Sequence, residues 1–168
     1  MISANVINSA PTAGQKWTGV MKMSDYERYL FRGKEKDSGK WIYGDLRHIS
    51  DGHGGYILCI VDNTNGRSND VTGVEVVPET VGQFTGLTDK NGVRIFEGDI
   101  VHCVSKIDSA DMVIIFECGQ FRMILAEKYH EYQTNVGYYD INCFAKEVIG
   151  NIHDNPELLG GENNGINR

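Results

Sequence analysis

Short apolar–polar alternations recur along this chain, and glycine- or asparagine-rich turns separate them. Tyr26–Gly33 sets Tyr29 and Phe31 among polar neighbours at the period of a strand. Asp37-Ser38-Gly39-Lys40 supplies a turn with glycine at its third position. The run Trp41–Ile49 then returns, with Trp41 and Tyr43 on one face and Ile42 on the other. Together these predict a β-hairpin, FRGKEKDSGKWIYGDL. A second loop, Asp51–Gly55, leads into the apolar strand Tyr56–Val61. The polar stretch Asp62–Asp70 separates that strand from Val74–Val77. Pro78 ends it, since proline cannot donate to a ladder, and Pro78–Val81 predicts one helical turn.

The densest turn chemistry lies in Thr80–Val101, which holds Gly82, Gly86, Gly92 and Gly98. Asp89-Lys90-Asn91-Gly92 reads as a type I turn whose glycine takes positive φ, joining a strand through Leu87 to Val93–Phe96. Glu97-Gly98-Asp99 turns the chain into Ile100–Val104. Such closely spaced turns predict a small, strongly bent β-barrel. Met112–Phe116 and Phe121–Leu125 flank Cys118-Gly119-Gln120 as a further hairpin, and Tyr138–Phe144 and Glu147–Ile152 read as final strands. Ala126–Val136 fits either a short helix or an irregular loop. Asn155 and Pro156 mark the cap and first position of a terminal helical turn.

The fold class is therefore mainly β with little helix. A β domain over residues 23–159 divides into an N-terminal sheet or hairpin region (24–78) and a barrel region (79–153). Residues 1–22 and 160–168 lack periodicity and read as a flexible extension and tail; Met21 and Met23, just before the first strand, mark alternative starts.

Composition narrows the function classes. The 168 residues are 40% hydrophobic and 23% charged, enough for a packed interior. A net charge of −7 opposes attraction to a phosphate backbone. Arg32, Lys34, Lys36 and Lys40 lie close together, but Glu35 and Asp37 among them favour a solvated hairpin over a nucleic-acid patch. Cys59, Cys103, Cys118 and Cys143 never fall as C-x-x-C, so no zinc turn is present. Without a signal peptide or a run long enough to cross a bilayer, the expected compartment is the cytoplasm.

Candidate chemistry is sparse. Glu97 and Asp99 form the obvious acid–base pair, but turns recruit Asp and Gly for local hydrogen bonding. The expectation is that Asp99 accepts from turn amides while Glu97 faces water. His48, His53, His102, His130 and His153 show no ligand spacing, and His153-Asp154 adjacency does not orient an imidazole. Asp62–Gly66 places glycine one position early for an EF-hand loop. Phe31, Trp41, Tyr43, Phe84 and Phe96 could stack bases, although rings at strand spacing more often form core. No phosphate loop, nucleophile elbow or dinucleotide fingerprint occurs. The sequence thus assigns no catalytic, metal or cofactor residue, and Gly86, Asp89, Gly92, Glu97, Gly98 and Asp99 read as structural turn residues.

Three blocks carry a family resemblance: FRGKEKDSGKWIYGDL (31–46), VVPETVGQFTGLTDKNGVRIFEGDIV (76–101) and EVIGNIHDNPELL (147–159). In order and spacing they resemble the YopX family of phage and prophage proteins. The resemblance implies an all-β protein with an SH3-like barrel, encoded by a phage or prophage, and transfers no catalytic residue. The expected role is a cytoplasmic accessory protein, a non-catalytic binding module that contacts itself or a host or phage protein. A nucleic-acid-associated regulator is the first alternative, and an enzyme using the Glu97/Asp99 region the second.

Overall fold

The computed structural model describes residues 29–62, 73–105, 109–129, 139–141 and 145–160. The N-terminal extension, the Asn63–Gly66 part of the polar loop, His130, Cys143 and residues 161–168 of the tail lie outside them.

Two antiparallel sheets make up the fold. The first has six strands: β1 (Phe31–Lys34), β2 (Trp41–Ser50), β3 (Tyr56–Val61), β4 (Val74–Glu75), β5 (Gly82–Thr88) and β6 (Arg94–Phe96), in the spatial order β4-β3-β2-β1-β5-β6. The second has five: β7 (Asp99–Val104), β8 (Ser109–Glu117), β9 (Gln120–Leu125), β10 (Tyr139–Asp140) and β11 (Ala145–Asn151), ordered β10-β9-β8-β7-β11. The predicted hairpins form with direct registers, Arg32 opposite Tyr43 and Phe116 opposite Phe121. The mainly β class stands. Among the described residues both sheets are open. Sheet membership changes at the Glu97–Gly98 turn, because β5 and β6 join the N-terminal strands.

The Pro78 turn appears as a 3-10 turn over Pro78–Thr80, and a second spans Pro156–Leu159. Asn155 stands at the cap of the latter but makes no capping bond; its Oδ1 accepts the Asn151 amide instead, at 3.3 Å. In the Ala126–Val136 segment, 126–129 form a 3-10 turn.

Strand alternation explains the core. Val101, Cys103, Met112, Ile114 and Met123 line one face of the second sheet and receive Ile95 from β6. Ile100, Val113 and Ile124 line its other face, covered by Ala126 and Leu159. Next to Ile95, Phe96 points the opposite way and packs with Leu30 and Phe84. The three-residue strand β6 therefore anchors both sheets by parity alone. Burying Ile95 is worth about 1.5–3 kcal/mol by transfer.

Candidate functional site

The junction of the two sheets is built around Arg32. Its strand position aims the side chain across Gly82, its partner on β5, toward the turn that follows β6. Nη1 lies 2.6 Å from Asp99 Oδ1, and Nη2 donates to the Glu97 carbonyl at 3.1 Å. Both residues are buried, Arg32 to 7% exposure and Asp99 to 1%. The guanidinium lies between two rings, 4.7 Å from the Trp41 centroid and 5.0 Å from that of Phe96. Asp99 Oδ2 accepts the Phe96 amide at 2.8 Å. Arg32 Nε finds no acceptor. Asp99 Oδ1 meets Nη1 as a close ion pair without an aligned hydrogen bond. Burial pushes the Asp99 carboxyl above the usual Asp range, while Arg32 and the Phe96 amide pull it back.

A second group of contacts surrounds Asp154. Its carboxylate pairs with Lys34 and accepts from Trp41 Nε1 at 2.6 Å and Asn151 Nδ2 at 2.9 Å. These donors, Lys34 first, hold it well below the ordinary carboxylate range. The adjacent His153 ring sits 6.0 Å from Trp41, and burial, reinforced by Lys34 and Arg32, lowers its pKa. Asp154 matters through β1 and β2.

The Asp89–Gly92 turn is the third junction. Asp89 Oδ1 accepts the amides of Asn91 (2.7 Å) and Val93 (2.9 Å), and Oδ2 accepts that of Val148 on β11 (3.1 Å). Desolvation pushes this carboxyl up, but the amides together outweigh it and the pKa is lowered. Lys90 donates its backbone amide to the Lys146 carbonyl at 3.0 Å, so the loop covers the outer edge of β11. Gly92 takes φ +82°, as the turn requires, and Gly86 lies within the register shift between β5 and β6.

Glu97 and Asp99 flank Gly98 yet open onto different clefts. An open cleft of about 690 Å³ is lined by Arg32, Tyr43, Thr88, Arg94, Phe96 and Asp99, among others. A smaller one of about 290 Å³ holds Glu97 and His153. Glu97 is half-buried rather than facing water. Burial raises its pKa, and the Gln83 and Phe116 amides offset part of that. His102 is far along β7, paired with Asp111 at 2.7 Å. Glu97, Asp99 and His102 do not converge. Among the described residues no cluster of His, Cys, Asp and Glu could hold a metal ion.

The basic group is placed differently from the sequence reading, whereas Phe84 and Phe96 of the ring group take the core positions that reading favours. Arg32 is buried against Asp99 rather than solvated, Lys34 is paired with Asp154, and Lys36 meets Glu75 at 2.5 Å. Phe84 and Phe96 are core. Tyr43 stays 42% exposed with its ring 5.6 Å from Phe96. An arginine flanked by Phe31 and Gly33 at an inward strand position was the available signal for the buried pair.

Fold and junction define an all-β protein whose signature turns fasten one sheet to another. The chain belongs to the YopX family: the YopX protein family profile matches residues 30–160. Among solved structures it is similar to one described as "Crystal structure of protein EF1440 from Enterococcus faecalis", with 25% identity over 77% of this chain and 96% of that one, and a TM-score of 0.42. Comparison with curated proteins gives no match.

Proposed function

We propose that the protein is a non-catalytic binding module, a phage or prophage accessory protein that works through the 690 Å³ cleft over Arg32 and Asp99. One observation carries this reading. Asp89 and Asp99, the buried acids of the family signature, are engaged in joining the sheets, which leaves a supported concave surface rather than an acid–base pair. The family resemblance supports the phage or prophage origin. Cys59, Cys103 and Cys118 are free, in keeping with a reducing cytoplasm. The register shift between Val148 and Gly150 in the pairing of β11 with β7 bends the second sheet and supports an SH3-like arrangement. The regulator alternative loses three of its four basic residues, Arg32, Lys34 and Lys36, to Asp99, Asp154 and Glu75. Self-association by strand pairing would use the short edges β4, β6 or β10, since the Asp89 loop covers β11.

Affinity capture from bacterial lysate tests the reading when done with and without nuclease, using the natural chain and Val93→Glu at the cleft rim. A specific partner retained after nuclease and lost with Val93→Glu is expected. Capture that ignores the rim substitution, or that vanishes with nuclease, contradicts it.

A further inference from the structure

We propose that the smaller cleft, beside Glu97, is a docking notch for an arginine side chain presented by an extended segment of a partner protein. It is a second site, built from residues other than those of the 690 Å³ cleft, and does not depend on that cleft being filled.

Strand β8 gives the notch its shape. The pairing of β8 with β7 ends where Val113 meets Ile100, and the Gly98 amide then donates to the Ile114 carbonyl at 2.9 Å. Ile115, Phe116 and Glu117 lie past that point. Among the described residues they pair with β9 alone, so on the β7 side they form a sheet edge that lines the cleft. An edge of this kind admits an extended chain alongside it. Ile114, Ile115 and Ile152 make the lining apolar. Phe116 keeps 49% of its surface exposed, and its ring stands edge-on to Phe121 with centroids 5.0 Å apart, which fixes the face it offers. A volume of about 290 Å³ is small for a cofactor and suits one long side chain.

Charge complementarity names the occupant. Glu79, Glu97 and Glu117 line this apolar notch, and no lysine or arginine does. Among the described residues none of the three glutamates is paired with a cation. Glu97 is half-buried and held in place by the Gln83 and Phe116 amides. Burial first, then Lys34 and Arg32, lower the pKa of His153, so at neutral pH that ring adds no positive charge. A partly desolvated carboxylate without a counter-charge is stabilised by an incoming cation. That cation is organic, because among the described residues no group of three or more His, Cys, Asp and Glu could hold a metal ion. Arginine fits better than lysine. The edge of a guanidinium pairs with carboxylates as a fork, while its flat face and apolar stem lie on a ring such as Phe116.

The test is an amide NMR titration of the full chain with a blocked glycine–arginine–glycine tripeptide. The controls are the same peptide with lysine, or with citrulline as the uncharged isostere, in place of arginine. The arginine peptide is expected to shift the amides of Gly98, Phe116 and Glu117, and to bind more tightly than the lysine peptide and about tenfold more tightly than the citrulline peptide. The double change Glu79→Gln with Glu117→Gln, at side chains that no ion pair of the fold uses, is expected to weaken binding about tenfold with the melting temperature kept. Phe116→Ala should weaken it as well, and Val93→Glu, at the other cleft, should leave it unchanged. Glu97 is left intact because its carboxyl also takes two backbone amides. Either control binding as tightly as the arginine peptide overturns the proposal. So does a double variant that binds as the natural chain does, or a set of shifts spread over the whole acidic surface.

Discussion

Asp99 of β7 holds Arg32 of β1 across the junction of the two sheets at 2.6 Å, with both side chains buried. Such a pair sets geometry more than it adds stability, because removing two charges from water costs nearly what their attraction returns. Its position explains the glycine between Glu97 and Asp99. Gly98 donates to the Ile114 carbonyl and accepts from the Ile152 amide, both at 2.9 Å, while its φ of +80° turns β6 into β7.

Gly98→Ala is expected to lower stability by about 1–2 kcal/mol, the cost of a Cβ in the left-handed region. Urea denaturation measures it. A loss below a few tenths of a kcal/mol would show that this turn tolerates a side chain.

Asp89→Ala removes the acceptor of three amides, two in its own turn and one on β11. A loss on the order of 2–3 kcal/mol is expected. Hydrogen exchange should accelerate at the Val93 and Val148 amides. Unchanged protection at Val148 would mean that Asp89 does not fasten the loop to β11.

The acid limb of stability has a predicted sign. Asp154 and Asp89 both have lowered folded-state pKa values. Their stabilisation is full above the unfolded value of about 3.9 and is lost as pH falls through the folded values. Asp99 runs the other way. Its raised pKa makes its contribution full below about 3.9 and lost as pH rises through the folded value. Asp154→Asn should therefore flatten the fall of melting temperature below about pH 4. An identical acid limb in that variant would contradict the assignment.

Thiol labelling separates the cysteines. Burial pushes the Cys103 thiol up to about 11, and it raises that of Cys59 as well. Cys118 is exposed at the tip of the β8–β9 hairpin. Alkylation of the native protein at neutral pH is expected to modify Cys118 quickly, with Cys59 and Cys103 following only on unfolding. Fast modification of Cys103 would indicate that the second sheet opens readily.

Local signals were legible in the sequence and long-range partners were not. Strand Tyr56–Val61, the Gly39 and Gly92 turns, and the β8–β9 hairpin follow from alternation and turn chemistry, which act over a few residues. The turn role of Asp99 was also readable, since its acceptance of the Phe96 amide is local. Arg32 looked like one of four surface cations because nothing nearby in sequence names Asp99 as its partner. Asp154 was equally opaque: its partners Lys34 and Trp41 lie on the first hairpin. The placement of β5 and β6 in the first sheet depends on β1 pairing with β5, a contact that alternation cannot assign.

The central claim is that the signature turn joins the two sheets through Arg32 and Asp99, and a double-mutant cycle tests it most directly. Arg32→Met and Asp99→Leu are each expected to cost about 3–5 kcal/mol, because each leaves one buried charge unpaired. The double variant, with both charges gone, should cost less than either single change. Strictly additive losses in urea denaturation would show that the two residues act independently, and would contradict the account.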